Sequence, residues 1–396
     1  MICALGDIAV VTMGQSPKSE FYNTDGQGMP FLQGNRTFGK RFPVFDTFTT
    51  MATKTAKAGD VIMSVRAPVG DLNITPVDMC LGRGVCGIRM RNGNQDFLFY
   101  LLKYYMPQLL NKESGTVFGS VNRNDINGLE LNIPEDENKQ RRIARILAML
   151  DEKIETNDAI NDNLEQQART LFDNMFISSE NRSSWKTGTF SDLIESTLGG
   201  DWGKESPSGK NTEMVYCIRG ADIPEVRSGN KGKMPTRYIL PKNYVSKQLL
   251  PGDIVVEISG GSPTQSTGRV AAVSQSLLDR YDKGMVCTNF CRAIKPKAGY
   301  SMFVYYYWQY MYDRNVFFSY ENGTTGIKNL DLSGFITTEE IVIPPMTLIQ
   351  EFDSFCQSVF DKTFANGLEN EQLSLLRDSL LPRLMSGEID VSNLDI

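Results

Sequence analysis

Two glycine-rich stretches have the spacing of nucleotide-binding loops. Gly34-x-x-x-x-Gly39-Lys40 carries the glycines and the lysine of a phosphate-binding loop, but Arg41 stands where a Ser or Thr hydroxyl would bind Mg²⁺. Gly82-x-Gly84-x-x-Gly87 matches the dinucleotide fingerprint, which has to be followed by a helix. It is followed instead by Ile88-Arg-Met, which is typical of a strand. We therefore predict turns rather than nucleotide sites at both places.

The chain of 396 residues contains no histidine. This absence excludes Ser-His-Asp and Cys-His nucleophilic centres, histidine-ligated metals and the commonest general base. A Mg²⁺-dependent nuclease would need clustered carboxylates with a lysine. Glu137-x-Lys139 lacks a second acid, and Asp253 and Glu257 share a strand on which Ser259 replaces the lysine. The Asn/Asp-Pro-Pro-aromatic tetrapeptide of an adenine-methylating enzyme is also absent. We predict a chain without catalytic residues, metal ligands or a cofactor of its own.

Seven scattered cysteines favour reduced thiols over a disulfide framework. Cys287-x-x-x-Cys291 resembles half of a zinc site, but no second pair lies at a suitable spacing. The first residues lack the basic and long apolar segments of a signal peptide, and no run approaches 18 apolar residues. We expect a cytoplasmic protein that does not cross a membrane.

Basic residues that stand among glycine, serine and aromatic residues are the best candidates for binding. An arginine can contact a phosphate or read a base edge with two hydrogen bonds. Each such residue alone is more typical of a solvated surface cation, so the prediction concerns the set. The candidate DNA-binding residues are Arg36, Lys40, Arg41, Arg66, Arg123, Arg219, Arg227, Lys231, Lys233, Arg237, Arg269 and Lys328.

The net charge of −6 argues against a nucleic-acid partner, but the charge is unevenly distributed. Residues 1–134 have 13 basic and 11 acidic side chains, and residues 181–344 have 19 and 16. Residues 135–180 have 6 and 11, and residues 345–396 have 3 and 9. Two mildly basic domains that face a polyanion, separated by acidic segments, are compatible with this pattern.

The chain contains an internal repeat with a period of about 200 residues. Leu5-Gly-Asp-Ile8 is echoed by Phe190-Ser-Asp-Leu193, and Ala58-Gly-Asp-Val-Ile-Met63 by Pro251-Gly-Asp-Ile-Val-Val256. Further pairs follow in the same order. Each copy begins with a part rich in Gly, Thr, Val and aromatic residues, which predicts a strand-rich domain over 1–134 and over 181–344.

Each copy ends in a segment with helical periodicity, 135–180 and 345–396. Apolar residues and two asparagines recur there at alternating spacings of four and three, which predicts a heptad seam along each helix. The seam in the first helix contains Ile143, Leu147, Leu150, Ile154, Asn157, Asn161, Leu164 and Leu171. The seam in the second contains Phe352, Val359, Asn366, Asn370, Leu373 and Leu380, with Thr363 and Arg377 as polar interruptions.

The asparagines occupy the same central positions in both seams. An antiparallel pairing would place Asn157 opposite Asn370 and Asn161 opposite Asn366. Buried asparagines of this kind fix the register of paired helices at some cost in stability. The alternative is two separate amphipathic helices, each packed on its own domain with the asparagines in solvent. We favour a pseudo-two-fold arrangement in which the helices pair.

These motifs together resemble the specificity subunits of type I restriction–modification systems. The resemblance extends over almost the whole chain and is strongest from Gly115-Thr-Val-Phe118 to Phe176. The segments that carry it are Ile133-Pro134, Gln140-x-x-Ile143-Ala144, Leu150-Asp-x-Lys-Ile154, Asn163-Leu-Glu-x-x-Ala168, Gly59–Gly70, Gly82–Arg89 and Leu384–Ile389.

The resemblance implies an α/β (α+β) protein with two strand-rich target-recognition domains separated by two long antiparallel helices. In this family each domain reads one half of a bipartite target in double-stranded DNA. The helices form a coiled-coil spacer, set the gap and dock two methyltransferase subunits, and motor-nuclease subunits join the complex. S-adenosylmethionine, ATP and Mg²⁺ are expected on those partners, not on this chain. The DNA-binding residues cannot be transferred from the family, because its recognition domains differ with their targets.

Two other classes of function remain open from the sequence. One is a non-catalytic scaffold whose basic domains bind protein. The other is a histidine-free, Mg²⁺-dependent nuclease, which would cut DNA as an isolated chain.

Overall fold

The computed structural model describes residues 1–111, 119–260, 262, 264–324 and 326–392. The Gly115-Thr-Val-Phe118 motif lies outside the described residues. The chain divides into two compact units, residues 1–153 with 373–396, and residues 154–372. The division falls inside each long helix. Each unit therefore contains one strand-rich domain together with a segment of each helix.

The helices differ greatly in length: two have 36 and 40 residues, and the others are shorter and belong to the domains. They are α1 (Leu5–Ile8), α2 (Gln95–Asn111), α3 (Arg123–Asn127), α4 (Glu137–Phe172), α5 (Ile223–Arg227), α6 (Pro241–Lys247), α7 (Gln275–Leu278), α8 (Ser301–Asp313), α9 (Leu332–Thr338) and α10 (Met346–Met385). A π-helical turn over Asp173–Ile177 continues α4. Among the described residues, no helix is long and apolar enough to span a membrane.

The strands of both units are short. Those of the first unit are β1 (Ile2–Ala4), β2 (Ala9–Met13), β3 (Tyr22–Asn23), β4 (Met29–Leu32), β5 (Phe48–Thr49), β6 (Thr55–Ala56), β7 (Val61–Ser64), β8 (Leu72–Ile74), β9 (Met79–Leu81), β10 (Val85–Met90) and β11 (Glu130–Asn132). Those of the second are β12 (Lys186–Thr189), β13 (Ile194–Gly199), β14 (Glu213–Ile218), β15 (Thr236–Ile239), β16 (Ile254–Glu257), β17 (Ser259–Gly260), β18 (Val270–Ala272), β19 (Met285–Cys287), β20 (Cys291–Pro296), β21 (Glu321–Thr324), β22 (Ile327–Leu330) and β23 (Glu340–Ile343).

The strand order confirms the internal repeat. The first unit has an antiparallel sheet in the order β2-β10-β7-β8, and the second has the same arrangement as β13-β20-β16-β18. The two-stranded sheet β1-β11 likewise corresponds to β12-β23. The remaining sheets differ, with β3-β5-β4-β9-β6 in the first unit and β15-β14-β19 and β17-β22-β21 in the second. The common part is thus a scaffold on which each copy carries its own additions.

The aromatic stretches of the two copies form the central helices of the two cores. In α2, the residues from Phe97 to Leu102 are all buried, and in α8 those from Met302 to Gln309 are all buried. A helix that is apolar all round must be covered on every side. Trp308 packs against Phe190, Phe317 and Phe335, with ring centroids 4.7–5.5 Å apart. By comparison with other cores, truncation of such a ring to alanine would cost about 3–5 kcal/mol.

The positions of glycine and proline explain why the two long helices are continuous. Residues 137–172 contain no glycine or proline, which permits an uninterrupted α4. The helix α10 remains continuous despite Gly367 and Pro382. A Cβ on Gly367 would lie 2.0 Å from the carbonyl oxygen of Gly229, so glycine is required for this loop to approach the helix. Pro382 lies in the last turn of α10, so the backbone hydrogen bond that it cannot donate is lost only at the end of the helix.

Candidate nucleic-acid interface

The four seam asparagines are buried and hydrogen-bonded to one another within the second unit. The Nδ2 of Asn157 donates to Oδ1 of Asn370 at 2.9 Å, and the Nδ2 of Asn366 donates to Oδ1 of Asn161 at 2.8 Å. The side chains of Asn157 and Asn366 are 0% and 1% exposed. These two contacts make the helix segments of this unit antiparallel. Because each amide has a matching partner only in this register, the asparagines favour one alignment of the helices.

The apolar seam residues pack partly on the partner helix and partly on the domain of their own unit. In the first unit, Ile143 and Leu147 share a core with Leu384 and with the partly buried Leu380. In the second unit, Phe352 packs in the core that contains Phe172 and Phe176, and Val359 is 5% exposed. Ile154 is buried, whereas Leu150, Leu164, Leu171 and Leu373 are half-buried.

The polar interruption at Arg377 is an ion pair within the first unit. Its guanidinium bonds to the carboxylate of Asp151, which is 8% exposed, and the hydroxyl of Tyr100 donates to the same carboxylate at 2.7 Å. Burial, followed by the proximity of Asp151, raises the pKa of Tyr100 far above its usual range, so the hydroxyl remains a donor. Arg377 therefore links the two helix segments of this unit to its domain.

Two of the candidate cations in the second domain anchor it to the helices of its unit. The guanidinium of Arg227 donates to Oε1 of Gln309 at 2.6 Å and lies 3.5 Å from Glu165 of α4. Lys231 pairs with Glu371 of α10, as does Arg280, which is almost fully buried. Both candidates, Arg227 and Lys231, are thus occupied in holding the domain.

The Glu371 carboxylate has a lowered pKa. Burial alone would raise the pKa, but the hydrogen bonds from Lys231 and Arg280 outweigh it and hold the pKa below its ordinary value. The group is therefore ionised throughout the neutral range, and its charge contributes to the attachment of the domain to α10.

Three further candidates are bound inside the second domain. Arg269 makes two bonds of 2.7 Å to the carboxylate of Glu257. Arg219 makes two bonds to Asp222 and one to a backbone carbonyl. Lys328 pairs with Glu321 at 3.0 Å. Bidentate arginine–carboxylate pairs of this kind fix loop geometry, and their guanidinium groups are largely neutralised.

Arg237 and Lys233 lie in very different surroundings. Arg237 is 8% exposed, stacks on Trp202 with its guanidinium carbon 3.7 Å from the ring centroid, and pairs with Glu205. Lys233 is exposed, and within the described part of the chain only its backbone is hydrogen-bonded. Of the two, Lys233 is the one whose charge is available to a ligand.

In the first domain three candidate arginines are engaged. Arg36 bonds to both carboxylate oxygens of Asp46, at 2.9 and 2.6 Å, and this hydrogen bonding lowers the pKa of Asp46. Arg41 is buried against Asp96. Arg123 donates to the carbonyl oxygen of Val11 in β2. The side chains of these three arginines therefore bond to other residues of the same domain.

Lys40 and Arg66 are exposed, and so is an arginine that the sequence reasoning missed, Arg83. Arg83 stands between the first two of the three glycines of the dinucleotide-like motif, and the strand predicted at Ile88-Arg-Met is confirmed as part of β10. The phosphate-loop-like stretch ending at Lys40 is likewise not followed by a helix, since the next described helix begins at Gln95. The sequence signal that could have identified Arg83 is the pair of glycines on either side of it.

The carboxylates considered for a nuclease centre are held in ion pairs. Asp253 accepts two bonds from Lys295, at 3.0 and 2.8 Å, and Glu137 pairs with Arg141. No group of three or more Cys, Asp or Glu side chains suited to a metal occurs in the described ranges. Burial raises the pKa of both Cys217 and Cys291 to about 12, so these thiols stay protonated at neutral pH.

Comparison with known proteins gives a consistent set of similarities. The family model described as type I restriction modification DNA specificity domain matches residues 1–166 and 182–375. The putative type I restriction enzyme MjaX specificity subunit of Methanocaldococcus jannaschii is 36% identical over 163 residues, 41% of this chain and 38% of that relative. The MjaIX specificity subunit of the same organism is 25% identical over 366 residues, 85% of this chain and 79% of the relative.

The fold is shared with a solved structure. The S subunit of a type I restriction–modification system from M. genitalium superposes with a TM-score of 0.57 at 15% identity. The superposition covers 97% of this chain and 95% of that one. Both copies of the repeat are therefore part of the shared fold.

Proposed function

Because this chain belongs to the type I restriction–modification DNA specificity family, we propose that each strand-rich domain reads one half of a bipartite sequence in double-stranded DNA. The observation that carries the proposal is the repeated scaffold, β2-β10-β7-β8 and β13-β20-β16-β18, with different additional sheets in each copy. Two copies of one fold with different additions suit the reading of two different half-sites. The chain is a non-catalytic subunit, so its role is to select the sequence on which partners act.

The paired helices have two tasks in this proposal. They fix the gap between the half-sites, and their outer surfaces dock two methyltransferase subunits, which motor-nuclease subunits then join. Exposed apolar side chains on the helices support docking. In the first unit these are Met149, Leu375 and Leu376, which are 45%, 66% and 47% exposed, and in the second unit Ile160 and Leu368, which are 37% and 44% exposed. Contiguous exposed apolar patches mark protein interfaces, and among these residues Leu375 and Leu376 are neighbours in the sequence.

The cofactors of the complex belong to the partners in this proposal. S-adenosylmethionine would be bound by the methyltransferase subunits, and ATP and Mg²⁺ by the motor-nuclease subunits. We further propose that the complex acts in the cytoplasm, a location with which the seven free cysteines agree.

Binding to duplex DNA tests the proposal against a protein-binding scaffold. Residues 1–134 contain 13 basic and 11 acidic residues, and residues 181–344 contain 19 and 16. Because this excess of positive charge is small, the isolated chain should bind DNA weakly. Addition of the methyltransferase subunits should produce tight binding whose affinity falls steeply with salt, because phosphate contacts release counterions. Binding would be followed by fluorescence anisotropy of a labelled duplex between 50 and about 200 mM salt. A complex that assembles but binds no duplex at any salt concentration would contradict the proposal.

A further inference from the structure

Arg83 stands at the tip of the turn between β9 and β10. The amide of Val85 donates to the carbonyl oxygen of Gly82 at 3.2 Å, which closes the turn around Arg83 and Gly84. Arg83 is exposed, whereas both flanking glycines are buried. The backbone of the turn therefore lies inside the domain, and only the arginine side chain extends from it.

The two glycines make this turn rigid. Gly82 and Gly84 donate to the carbonyl oxygens of Leu32 and Gln33 at 2.8 and 2.9 Å. A Cβ would lie 2.6 Å from the Leu32 oxygen if placed on Gly82, and 2.4 Å from the Gln33 oxygen if placed on Gly84. The glycine pattern thus serves backbone-to-backbone packing rather than a dinucleotide. Its effect is to hold Arg83 at a fixed position.

Arg66 extends from the adjoining segment. The amide of Val65 donates to the carbonyl oxygen of Gly84 at 2.9 Å, so the neighbours of the two arginines are hydrogen-bonded to each other. On its other side Arg66 forms a β-bridge with Ser120. Arg66 is exposed. Arginine side chains are long enough for two that leave adjoining segments to reach one ligand.

Neither guanidinium has a partner among the described residues. Other arginines of this domain are paired, Arg36 with Asp46, Arg41 with Asp96 and Arg89 with Asp60. Like charges on adjoining segments destabilise a sheet when nothing neutralises them. Two uncompensated arginines on a rigid backbone therefore indicate a ligand that offers hydrogen-bond acceptors to both.

The second domain has different side chains at the same place in its scaffold. There the amide of Ile258 donates to the carbonyl oxygen of Phe290 at 2.9 Å, which corresponds to the bond from Val65 to Gly84. Ser259 stands where the first domain has Arg66, and its hydroxyl donates to Oδ1 of Asn329 at 2.6 Å. Asn289 and Phe290 are exposed at the turn.

The difference between the two domains favours bases over phosphates as the ligand. Both domains face the same polyanion, so a phosphate contact would favour a cation in both. A position that reads bases is instead expected to change with the half-site. Arginine pairs with the O6 and N7 acceptors of guanine in the major groove, which is the commonest specific contact of this residue type.

We propose that Arg66 and Arg83 each read one guanine in the half-site of the first domain. This assignment rests on the proposed function and makes it specific. The partner atoms are O6 and N7 of guanine. Arg83 lies outside the candidate set derived from the sequence.

The test is a set of substitutions in the full chain, co-expressed with its methyltransferase subunits. The variants are Arg66→Gln, Arg66→Lys, Arg83→Gln and Arg83→Lys. The methylated sequences in the host genome are then determined by single-molecule sequencing. Each variant should lose preference for guanine at one position of one half-site, by about 5- to 150-fold, which corresponds to about 1–3 kcal/mol. The other half-site should be unchanged.

The lysine variants separate base reading from charge. Lysine retains the positive charge but not the two parallel donors, so loss of guanine preference in Arg66→Lys supports base reading. Arg91→Gln is the matched control, since Arg91 is an exposed arginine of the same domain that is outside the candidate set and donates to the carbonyl oxygen of Gly6. It should leave the motif intact. The melting temperature should not fall in the variants, because neither Arg66 nor Arg83 makes a side-chain hydrogen bond or ion pair with a described residue.

Three outcomes would overturn the assignment in distinguishable ways. If the wild-type complex methylates a bipartite motif and all four variants retain the same guanine preference, the proposed function stands and the two residues are wrongly assigned. Uniform weakening in the glutamine variants with full recovery in the lysine variants would also overturn it, since that result indicates phosphate contacts. If the wild-type complex gives no bipartite motif, the proposed function fails and the assignment fails with it.

Discussion

Replacement of Asn161 by alanine tests the buried polar contacts between the helix segments. The Asn161 side chain is 4% exposed and takes part in three hydrogen bonds. It accepts from the amide of Asn366 at 2.8 Å and donates to the carbonyl oxygens of Ser228 and Thr363 at 3.1 and 3.2 Å. The substitution removes all three and leaves the Asn366 amide buried without its acceptor.

The expected loss of unfolding free energy is about 3 kcal/mol. Each hydrogen bond contributes about 0.5–1.5 kcal/mol net, and a buried group left without a partner costs about 1–3 kcal/mol. Asn366→Ala removes one of these bonds and should cost about 1–2 kcal/mol. The double variant should cost less than the sum by about 1 kcal/mol, since both single variants break the same contact.

The assay is urea denaturation of the full chain followed by circular dichroism. Asn163→Ala is the matched control, because Asn163 is an exposed asparagine two residues further along the same helix. Its replacement should change stability by less than about 0.5 kcal/mol. If Asn161→Ala is no more destabilising than Asn163→Ala, or if the two alanine substitutions are fully additive, the contact between Asn161 and Asn366 does not stabilise the helix pair.

Three further predictions concern the gap, the modularity of the domains and pH. Insertion of one heptad into each of α4 and α10 should lengthen the non-specific gap of the methylated motif by about 3 base pairs, because seven residues add about 10.5 Å of helix. Replacement of residues 181–344 by the matching domain of a relative should change one half-site of the motif and leave the other. Glu371→Gln should cost about 1–2 kcal/mol at pH 7 in urea denaturation, because it breaks the pairs with Lys231 and Arg280. Since the folded-state pKa of Glu371 is lowered, its stabilisation is complete above the ordinary glutamate pKa and is lost as pH falls through the lowered folded-state pKa, so wild type and variant should converge at acidic pH below the ordinary glutamate range.

Each of these predictions has a result that contradicts it. An unchanged gap after the heptad insertion would exclude the helices as the spacer. A change in both half-sites, or in neither, after the domain exchange would contradict independent reading. A stability difference for Glu371→Gln that persists undiminished at low pH would show that charge is not its cause. Glu351→Gln, on the exposed face of the same helix, is the control for that comparison.

The repeat and the seam asparagines could be predicted because they depend on short-range patterns. Spacings of four and three residues fix which side of a helix a residue occupies, and this made Asn157 and Asn370 candidates for one contact. The π-helical turn at Asp173–Ile177 has no comparable sequence pattern. The division of each long helix between two units also depends on packing that periodicity does not describe.

The state of the basic residues depends on contacts that are distant in the sequence. Arg227 bonds to Gln309, which is 82 residues away, and Lys231 pairs with Glu371 of α10. The glycines and serines next to a basic residue in the sequence do not indicate whether a distant residue forms an ion pair with it. Arg83 is absent from the candidate set because the glycines around it were interpreted only as turn residues. Its exposure follows from the packing of the turn against Leu32 and Gln33.

The central claim is that this chain selects a bipartite DNA sequence for its partners. The most direct measurement is co-expression with the cognate methyltransferase subunits in a host without adenine methylation, followed by sequencing of methylated adenines. The account predicts one motif made of two specific half-sites separated by a gap of fixed length. Methylation at a continuous motif, or methylation whose sequence does not depend on this chain, would contradict it.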